Sequence, residues 1–135
     1  MEHDIFIRYS KKDQETALAI LKILEDAGIE CWIAPRDVKP GTMYAGELTR
    51  GIENCRIMLL IYSADSSASK HVTKDINIAV TKNKMILPFK IDNCEMNETM
   101  EYYLSDYHWI EAYPDPEKHY NKLLQYLMSE LKGQT

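Results

Sequence analysis

Two side chains suited to acid–base chemistry lie one helical turn apart in the segment SKHVTKDINIAV, residues 69–80. His71 and Asp75 are four residues apart and are therefore neighbours on one face of the predicted helix. The apolar residues of the opposite, buried face are Val72, Ile76, Ala79 and Val80. Such a pair either belongs to a reactive site or is a solvated surface contributing roughly a few tenths of a kcal/mol. Spacing alone leaves both interpretations open.

Sequence patterns typical of strands and of helices alternate along the whole chain, and His71 and Asp75 lie in one of the helical patterns. Runs typical of strands cover residues 4–9, 29–33, 56–62, 84–91 and 107–112. Helical patterns cover residues 17–27, ended by Gly28, then 44–54, 69–80, 98–104 and 120–131. Each crossover between parallel strands must place a helix on a sheet face, so these βα units predict an α/β fold with a parallel sheet between helices. Pro88 is a mild objection to a central position for the fourth strand.

Ligands of such sheets bind at the carboxyl ends of the strands. The loops expected there are RYSKKD, APRDVKPGT and SADSSASKH. They contain no glycine-rich phosphate-binding pattern and no G-x-S-x-G nucleophile elbow. A response-regulator receiver is disfavoured as well, because it needs an acidic pair after the first strand and an aspartate ending the third. Here those positions read RYSKKD and IYSAD.

Composition narrows the class of protein further. The 135 residues are 45% hydrophobic and 27% charged, which is ordinary for one globular domain. The net charge of -5 disfavours general nucleic-acid binding, which needs a basic surface. No run approaches the roughly 20 apolar residues that span a bilayer, and the first residues do not form a signal peptide. A cytoplasmic protein without membrane or nucleic-acid partners is expected.

The cysteines and histidines do not predict a metal site or a disulfide framework. Cys31, Cys55 and Cys94 are odd in number and widely spaced, and the four histidines show no ligand spacing. Cys31 and Cys55 lie in apolar segments, where a buried free thiol is the usual state.

A longer pattern is more specific than any of these features. The stretch from HDIFIRYSKKDQ through CWIAPRDVKPG to ENCRIMLLIYS resembles the first half of a TIR (Toll/interleukin-1 receptor) domain of the prokaryotic type. SKHVTKDINIAV, ILPFKI and YYLSDYHWIEA extend the resemblance over nearly the whole chain. The resemblance implies one TIR domain over residues 1–135, with a core at about 3–131. It also implies a flavodoxin-like three-layer sandwich, with a five-stranded parallel sheet and helices on both faces.

The resemblance implies one of two functions. Many prokaryotic TIR domains cleave the nicotinamide–ribose bond of NAD⁺, releasing nicotinamide with ADP-ribose or a cyclic isomer, often in immune defence against phage. Others are non-catalytic scaffolds for protein–protein interaction in signalling. The enzymatic function implies NAD⁺ as substrate without cofactor or metal. It also implies self-association through the BB loop, residues 34–41, or with other TIR domains.

The site residues follow from the same resemblance. The family places a catalytic glutamate on the helix that matches residues 69–80, and its counterpart here is Asp75, one methylene shorter. Such a carboxylate stabilises an oxocarbenium-like ribose, and misplacing it by about 1 Å can cost on the order of 100-fold in rate. Substrate-binding roles are implied for Arg8, Tyr9, Ser10, Lys11, Trp32, Arg36, Asp37 and His71.

Several of these residues have a second interpretation. Arg8 stands where the family often has a small serine, so it either contacts a diphosphate or obstructs the pocket. Trp32 could instead anchor the core, and Arg36 and Asp37 could pair with each other to close a turn. Outside this set, Glu47 and Glu53 are predicted to be surface charges, and Asp65 is predicted to cap a turn.

Overall fold

The computed structural model describes residues 2–133 and contains one five-stranded sheet in the order β2-β1-β3-β4-β5. The strands are β1 (His3–Arg8), β2 (Cys31–Ile33), β3 (Cys55–Tyr62), β4 (Met85–Lys90) and β5 (Ile110–Glu111). All neighbouring strands are parallel. The predicted flavodoxin-like α/β fold is confirmed.

Residues 2–133 contain six α-helices, five of which pack on the two faces of the sheet. They are α1 (Gln14–Asp26), α2 (Tyr44–Glu53), α3 (Ala64–Ala68), α4 (Lys70–Thr81), α5 (Glu98–Leu104) and α6 (Tyr120–Gly133). Side chains of α1 and α6 pack on one face, and those of α2, α4 and α5 pack on the other. Short 3-10 turns precede α1 and α6, and Gly28 follows α1 with a φ of +85°, which suits the predicted helix stop.

The central strands are hydrophobic throughout because a hydrophobic core lies on each face of the sheet. In β1, Ile5 and Ile7 belong to the core under α1 and α6, whereas Phe6 belongs to the core under α2 and α4. The side chains of β3 alternate between the two cores in the same way, because successive residues of a strand point to opposite faces. A strand buried on both faces therefore has no polar face, as its sequence predicted.

The segment 63–69, expected to be a loop, contains the short helix α3. Ser63 and Ser66 form a capping box, in which the Ser63 hydroxyl accepts from Ser66 N and the Ser66 hydroxyl accepts from Ser63 N. These reciprocal bonds satisfy backbone donors that would otherwise lack partners at the helix start. Asp65 is therefore not the cap, and its carboxylate lies 3.6 Å from the Lys12 ammonium.

Two strands are shorter than their hydrophobic runs predicted. β2 has three residues, and β5 has two because it pairs only with Phe89 and Lys90 of β4. The β5 ladder therefore begins beyond Pro88, which explains how a residue without a backbone N–H fits a strand that has neighbours on both sides.

Two side-chain predictions need correction. Glu47 is buried, not a surface charge, because its carboxylate accepts from Arg50 Nε at 2.9 Å and from the Lys39 backbone N–H. The helical pattern of residues 120–131 predicts that Leu123, Leu127 and Met128 share a buried apolar stripe, but Met128 is 43% exposed, whereas Leu123 and Leu127 are buried. Cys31 and Cys55 are buried free thiols, as expected. Within residues 2–133, no helix has the length and hydrophobicity needed to cross a membrane.

Candidate functional site

A cavity of about 620 Å³ opens at the carboxyl end of β1, between α2 and α4. Three segments line it: residues 8–11 at the end of β1, the first half of α2, and the first turns of α4. This is the edge of the sheet at which parallel α/β folds bind ligands. Asp75 of α4 is the single carboxylate among the lining residues.

Helix α4 fixes the position of Asp75. Ser69 caps the helix by accepting from Val72 N at 3.2 Å, and Val72 and Ile76 anchor the helix in the core. Asp75 precedes Ile76, which leaves its carboxylate at the cavity wall, where the residue is 6% exposed. Of the two interpretations of this helix face, the solvated surface is thus excluded for Asp75.

The guanidinium of Arg8, the last residue of β1, contacts this carboxylate. Arg8 Nε lies 2.8 Å from Asp75 Oδ2, and both atoms are buried. The contact does not have the angles of a hydrogen bond. Within residues 2–133, neither atom forms a hydrogen bond with any other group. Arg8 Nη1 donates to the Tyr9 carbonyl at 3.1 Å, which holds the guanidinium at the end of the strand. Arg8 therefore covers the acid through a close but poorly aligned ion pair.

Burial and neighbouring charges shift the pKa of Asp75 in opposite directions. Desolvation is the larger effect and raises the pKa of Asp75 above its ordinary value of 3.8. The positive charges of Arg8, His71 and Lys74 act against that rise. The result is a carboxylate that is harder to ionise than one in water, in a site whose other charges are positive.

His71 lines the same cavity but is exposed. The ion pair of Asp75 is formed with Arg8 and not with His71, although the two residues are one helical turn apart. The His71 ring therefore stands at the mouth of the cavity, where it is available to an entering molecule.

Residues 9–11 connect the cavity to the BB loop. The Tyr9 hydroxyl donates to the Ala34 carbonyl at 2.7 Å, which joins the loop after β1 to the loop after β2. Ser10 and Lys11 line the cavity as the chain turns into α1, and the Lys11 side chain is exposed. The structure thus brings together six of the nine predicted site residues: Arg8, Tyr9, Ser10, Lys11, His71 and Asp75.

Trp32, Arg36 and Asp37 do not line this cavity, and their substrate-binding roles stay predictions. The Trp32 ring stacks on Phe6 at 5.0 Å with an angle of 8° between the planes. Trp32 and Asp37 line a second cavity of about 520 Å³ on the far side of α2, together with Glu47. The Trp32 ring is thus held by core packing, as its second interpretation predicted.

Arg36 and Asp37 bind backbone groups of β2 at the free edge of the sheet. Asp37 Oδ2 accepts from Ile33 N at 2.9 Å, and Arg36 Nη2 donates to the Cys31 carbonyl at 3.1 Å. The two side chains also pair with each other, and Arg36 binds both carboxylate oxygens of Glu25 at 2.9 Å. β2 is an edge strand, and its unpaired backbone groups need such partners. The BB loop therefore folds back onto β2.

Sequence reasoning did not single out the α2 wall of the cavity or Lys74. Tyr44 and Leu48, four residues apart on α2, line the cavity opposite α4, and Tyr44 is 52% exposed. Their helical spacing and the position of Tyr44 three residues after the BB loop were the available signals. Lys74 was overlooked although it is adjacent to Asp75.

No metal site accompanies this cavity in the described part of the chain. Between residues 2 and 133, no group of three or more His, Cys, Asp or Glu side chains is arranged to hold a metal ion.

The comparisons with known proteins agree with this fold. The model of the TIR domain family matches residues 5–124. The TIR domain of the Toll-related receptor TRR-2 from Hydra magnipapillata superimposes with a TM-score of 0.78 at 23% identity, covering 93% of this chain and 98% of that chain. No curated protein sequence matches the chain significantly.

Two further solved structures have the same fold. The TIR domains of the activated Roq1 resistosome, which recognises the pathogen effector XopQ, give a TM-score of 0.75 at 15% identity over 93% of this chain and 99% of that one. The CMP N-glycosidase BcmB of Clostridium botulinum gives 0.69 at 16% identity over 91% and 98%. At these identities the similarity shows the fold alone.

Proposed function

The chain belongs to the TIR domain family, and we propose that it cleaves the nicotinamide–ribose bond of NAD⁺ with Asp75 as the carboxylate at the ribose. The observation that carries this proposal is the buried Asp75 carboxylate in a cavity of about 620 Å³ at the carboxyl end of β1. A cavity of this size suits a small molecule, and a buried acid within it is typical of a functional site.

The main catalytic group that this reaction needs from the protein is this carboxylate. When the bond between the ribose C1′ and the pyridinium nitrogen breaks, its electron pair stays on nitrogen and nicotinamide leaves as a neutral molecule. The ribose is left with positive charge, which an adjacent carboxylate stabilises. Water then adds its oxygen to C1′ and releases a proton, giving ADP-ribose. Attack by a group of the same substrate would give a cyclic isomer.

Related proteins support this chemistry on the same fold. The Clostridium botulinum structure is of an enzyme that acts on the N-glycosidic bond of a nucleotide, CMP. The bond proposed here is also an N-glycosidic bond of a nucleotide. The similarity is in fold, so the choice of NAD⁺ rests on the family and on the position of Asp75.

Self-association is part of the proposal. The Roq1 TIR domains were observed within a resistosome, which is an assembly. In this chain Met43, two residues after the BB loop, is 78% exposed, and Tyr44 borders the cavity. A second TIR domain seated there would bury Met43 and help to close the cavity. We therefore propose a cytoplasmic signalling protein in immune or anti-phage defence, active when assembled.

A nicotinamide-release assay tests the proposal. The wild-type protein is assayed with NAD⁺ over a range of protein concentrations, and we expect the rate per molecule to rise with concentration. Asp75→Ala should abolish release. Asp75→Glu should raise the rate, because the added methylene restores the reach of the family's glutamate. Turnover that is unchanged in Asp75→Ala would remove Asp75 from the mechanism.

One observation favours a non-catalytic scaffold as the second candidate. Arg8 Nε lies 2.8 Å from Asp75 Oδ2, so one oxygen of the acid is already paired with a cation. If this pair never opens, the cavity has no reactive carboxylate and the domain acts through its surfaces. Absence of NAD⁺ turnover at every concentration, combined with concentration-dependent assembly, would favour the scaffold.

A further inference from the structure

We propose that Arg8 makes this cavity select nucleotides over nucleosides: a phosphate of the ligand draws the guanidinium away from Asp75 and thereby uncovers the carboxylate. The catalytic consequence rests on the proposed function, but the phosphate-dependent binding does not. Arg8 is thus a specificity-determining residue that pairs either with Asp75 or with a phosphate of the ligand.

The charge of the cavity favours an anion. Arg8, Lys11 and Lys74 line it, and Asp75 is the single acid among the lining residues. This basic lining belongs to a chain whose net charge is -5. The second cavity has the opposite character, since acidic residues outnumber lysine and arginine among its lining residues. The local potential therefore directs a phosphorylated ligand to the cavity of Asp75.

The geometry of the ion pair allows exchange. Arg8 Nε is 2.8 Å from Asp75 Oδ2, but the contact lacks hydrogen-bond angles, so it is weaker than its distance suggests. A phosphate offers several oxygens, and an arginine binds it through two parallel charge-assisted hydrogen bonds. The bond from Arg8 Nη1 to the Tyr9 carbonyl keeps the guanidinium at the cavity wall while it changes partner.

This exchange separates two classes of ligand. A nucleoside carries no phosphate, so it leaves Arg8 on Asp75 and the carboxylate stays neutralised by its cation. A nucleotide binds the Arg8 guanidinium through its phosphate. The Asp75 carboxylate is then left without its cation, beside the sugar of the ligand. The same residue therefore binds the phosphate and makes the acid available.

Binding of AMP and adenosine, which differ by one phosphate, tests the inference by calorimetry. We expect the wild-type protein to bind AMP at least about tenfold more tightly than adenosine, in line with a charge-assisted pair. Arg8→Gln should reduce that ratio to about twofold or less. The matched control is Lys12→Gln, which removes one positive charge from a side chain that pairs with Asp65 outside the cavity. It should keep the wild-type ratio.

A second measurement does not depend on how Arg8→Gln folds. The arginine Nε–H signals of the wild-type protein are followed by NMR, with the Arg8 signal assigned through Arg8→Lys. AMP should shift the Arg8 signal, and adenosine should not. Equal binding of both ligands, no detectable AMP binding at millimolar concentration, an AMP preference that survives in Arg8→Gln, or an Arg8 signal unmoved by bound AMP would overturn the inference. Loss of NAD⁺ turnover alone would not, because neither measurement involves hydrolysis.

Discussion

Arg8 Nε and Asp75 Oδ2 lie 2.8 Å apart at the wall of the cavity, and both atoms are shielded from solvent. The arginine comes from the end of β1, and the aspartate comes from α4, which packs on the same face of the sheet as Phe6. This pair joins the two elements that define the site. Its charge, stability and ability to open determine what the cavity can do.

The pH dependence of kcat/KM for NAD⁺, which reflects the free enzyme, should report the state of Asp75 while Arg8 is paired with it. Burial raises the pKa of Asp75 above 3.8, so the carboxylate forms only at a higher pH than in water. The rate should therefore rise with pH through an acid limb whose midpoint lies above 3.8. Arg8→Gln removes the nearest positive charge, so the midpoint should move to still higher pH. A limb that moves to lower pH in Arg8→Gln would show that Asp75 does not control it.

Removing one partner of the pair should have a measurable effect on stability. Arg8→Met leaves a buried carboxylate without its cation, which should lower the free energy of unfolding by about 3 kcal/mol. The double variant Arg8→Met/Asp75→Asn removes both charges and should recover most of that loss, because replacing a whole buried ion pair is often nearly neutral. Urea unfolding of the four proteins measures this cycle. Additive losses in the double variant would mean that the two residues are not coupled.

Helix α2 forms one wall of the cavity, and Gly51 sets how closely it packs on the sheet. A Cβ at Gly51 would lie 2.9 Å from Phe6 Cε2 and 3.0 Å from Trp32 Cδ2. Gly51→Ala should therefore destabilise the protein by about 1–3 kcal/mol through overpacking. Gly46, in the same helix, is the matched control, since the nearest atom to its Cβ would be 3.7 Å away. In thermal unfolding, Gly46→Ala should retain or raise the wild-type midpoint.

A structural role for Asp37 can be separated from a role in ligand binding. Asp37→Ala removes the acceptor of the Ile33 N–H at the free edge of β2, which should cost about 1 kcal/mol of stability. AMP affinity should stay unchanged, because Asp37 does not line the cavity of Asp75. A clear loss of AMP affinity in a folded Asp37→Ala protein would return this residue to the ligand site.

Local patterns were sufficient to predict the centre of the fold and much of the site. The continuous apolar run of β3 predicted a strand buried on both faces, and the helical spacing around Asp75 placed its carboxylate off the core face. The loop that begins at Arg8 was expected at the site because ligands meet the carboxyl ends of parallel strands, and the roles of individual site residues were implied by the resemblance to TIR domains. These features depend on periodicity within one element, which the sequence expresses directly.

Features that depend on contacts between distant segments were missed. The Arg8–Asp75 pair joins residues 67 positions apart, and no local pattern indicates which cation faces Asp75. The fold-back of Arg36 and Asp37 onto β2 likewise depends on the position of β2 at the edge of the sheet. β5 is shorter than its hydrophobic run because its length is set by pairing with β4.

The most direct test of catalysis by Asp75 is nicotinamide release from NAD⁺ by wild-type protein and Asp75→Asn, both assayed at high protein concentration. Asn keeps the shape of the side chain and removes the charge. The control is Glu53→Gln, which neutralises a carboxylate that pairs with Lys82 outside the cavity. We expect Asp75→Asn to lower the rate by about 100-fold or more and Glu53→Gln to keep the wild-type rate. Wild-type turnover in a folded Asp75→Asn protein would contradict a catalytic role for Asp75.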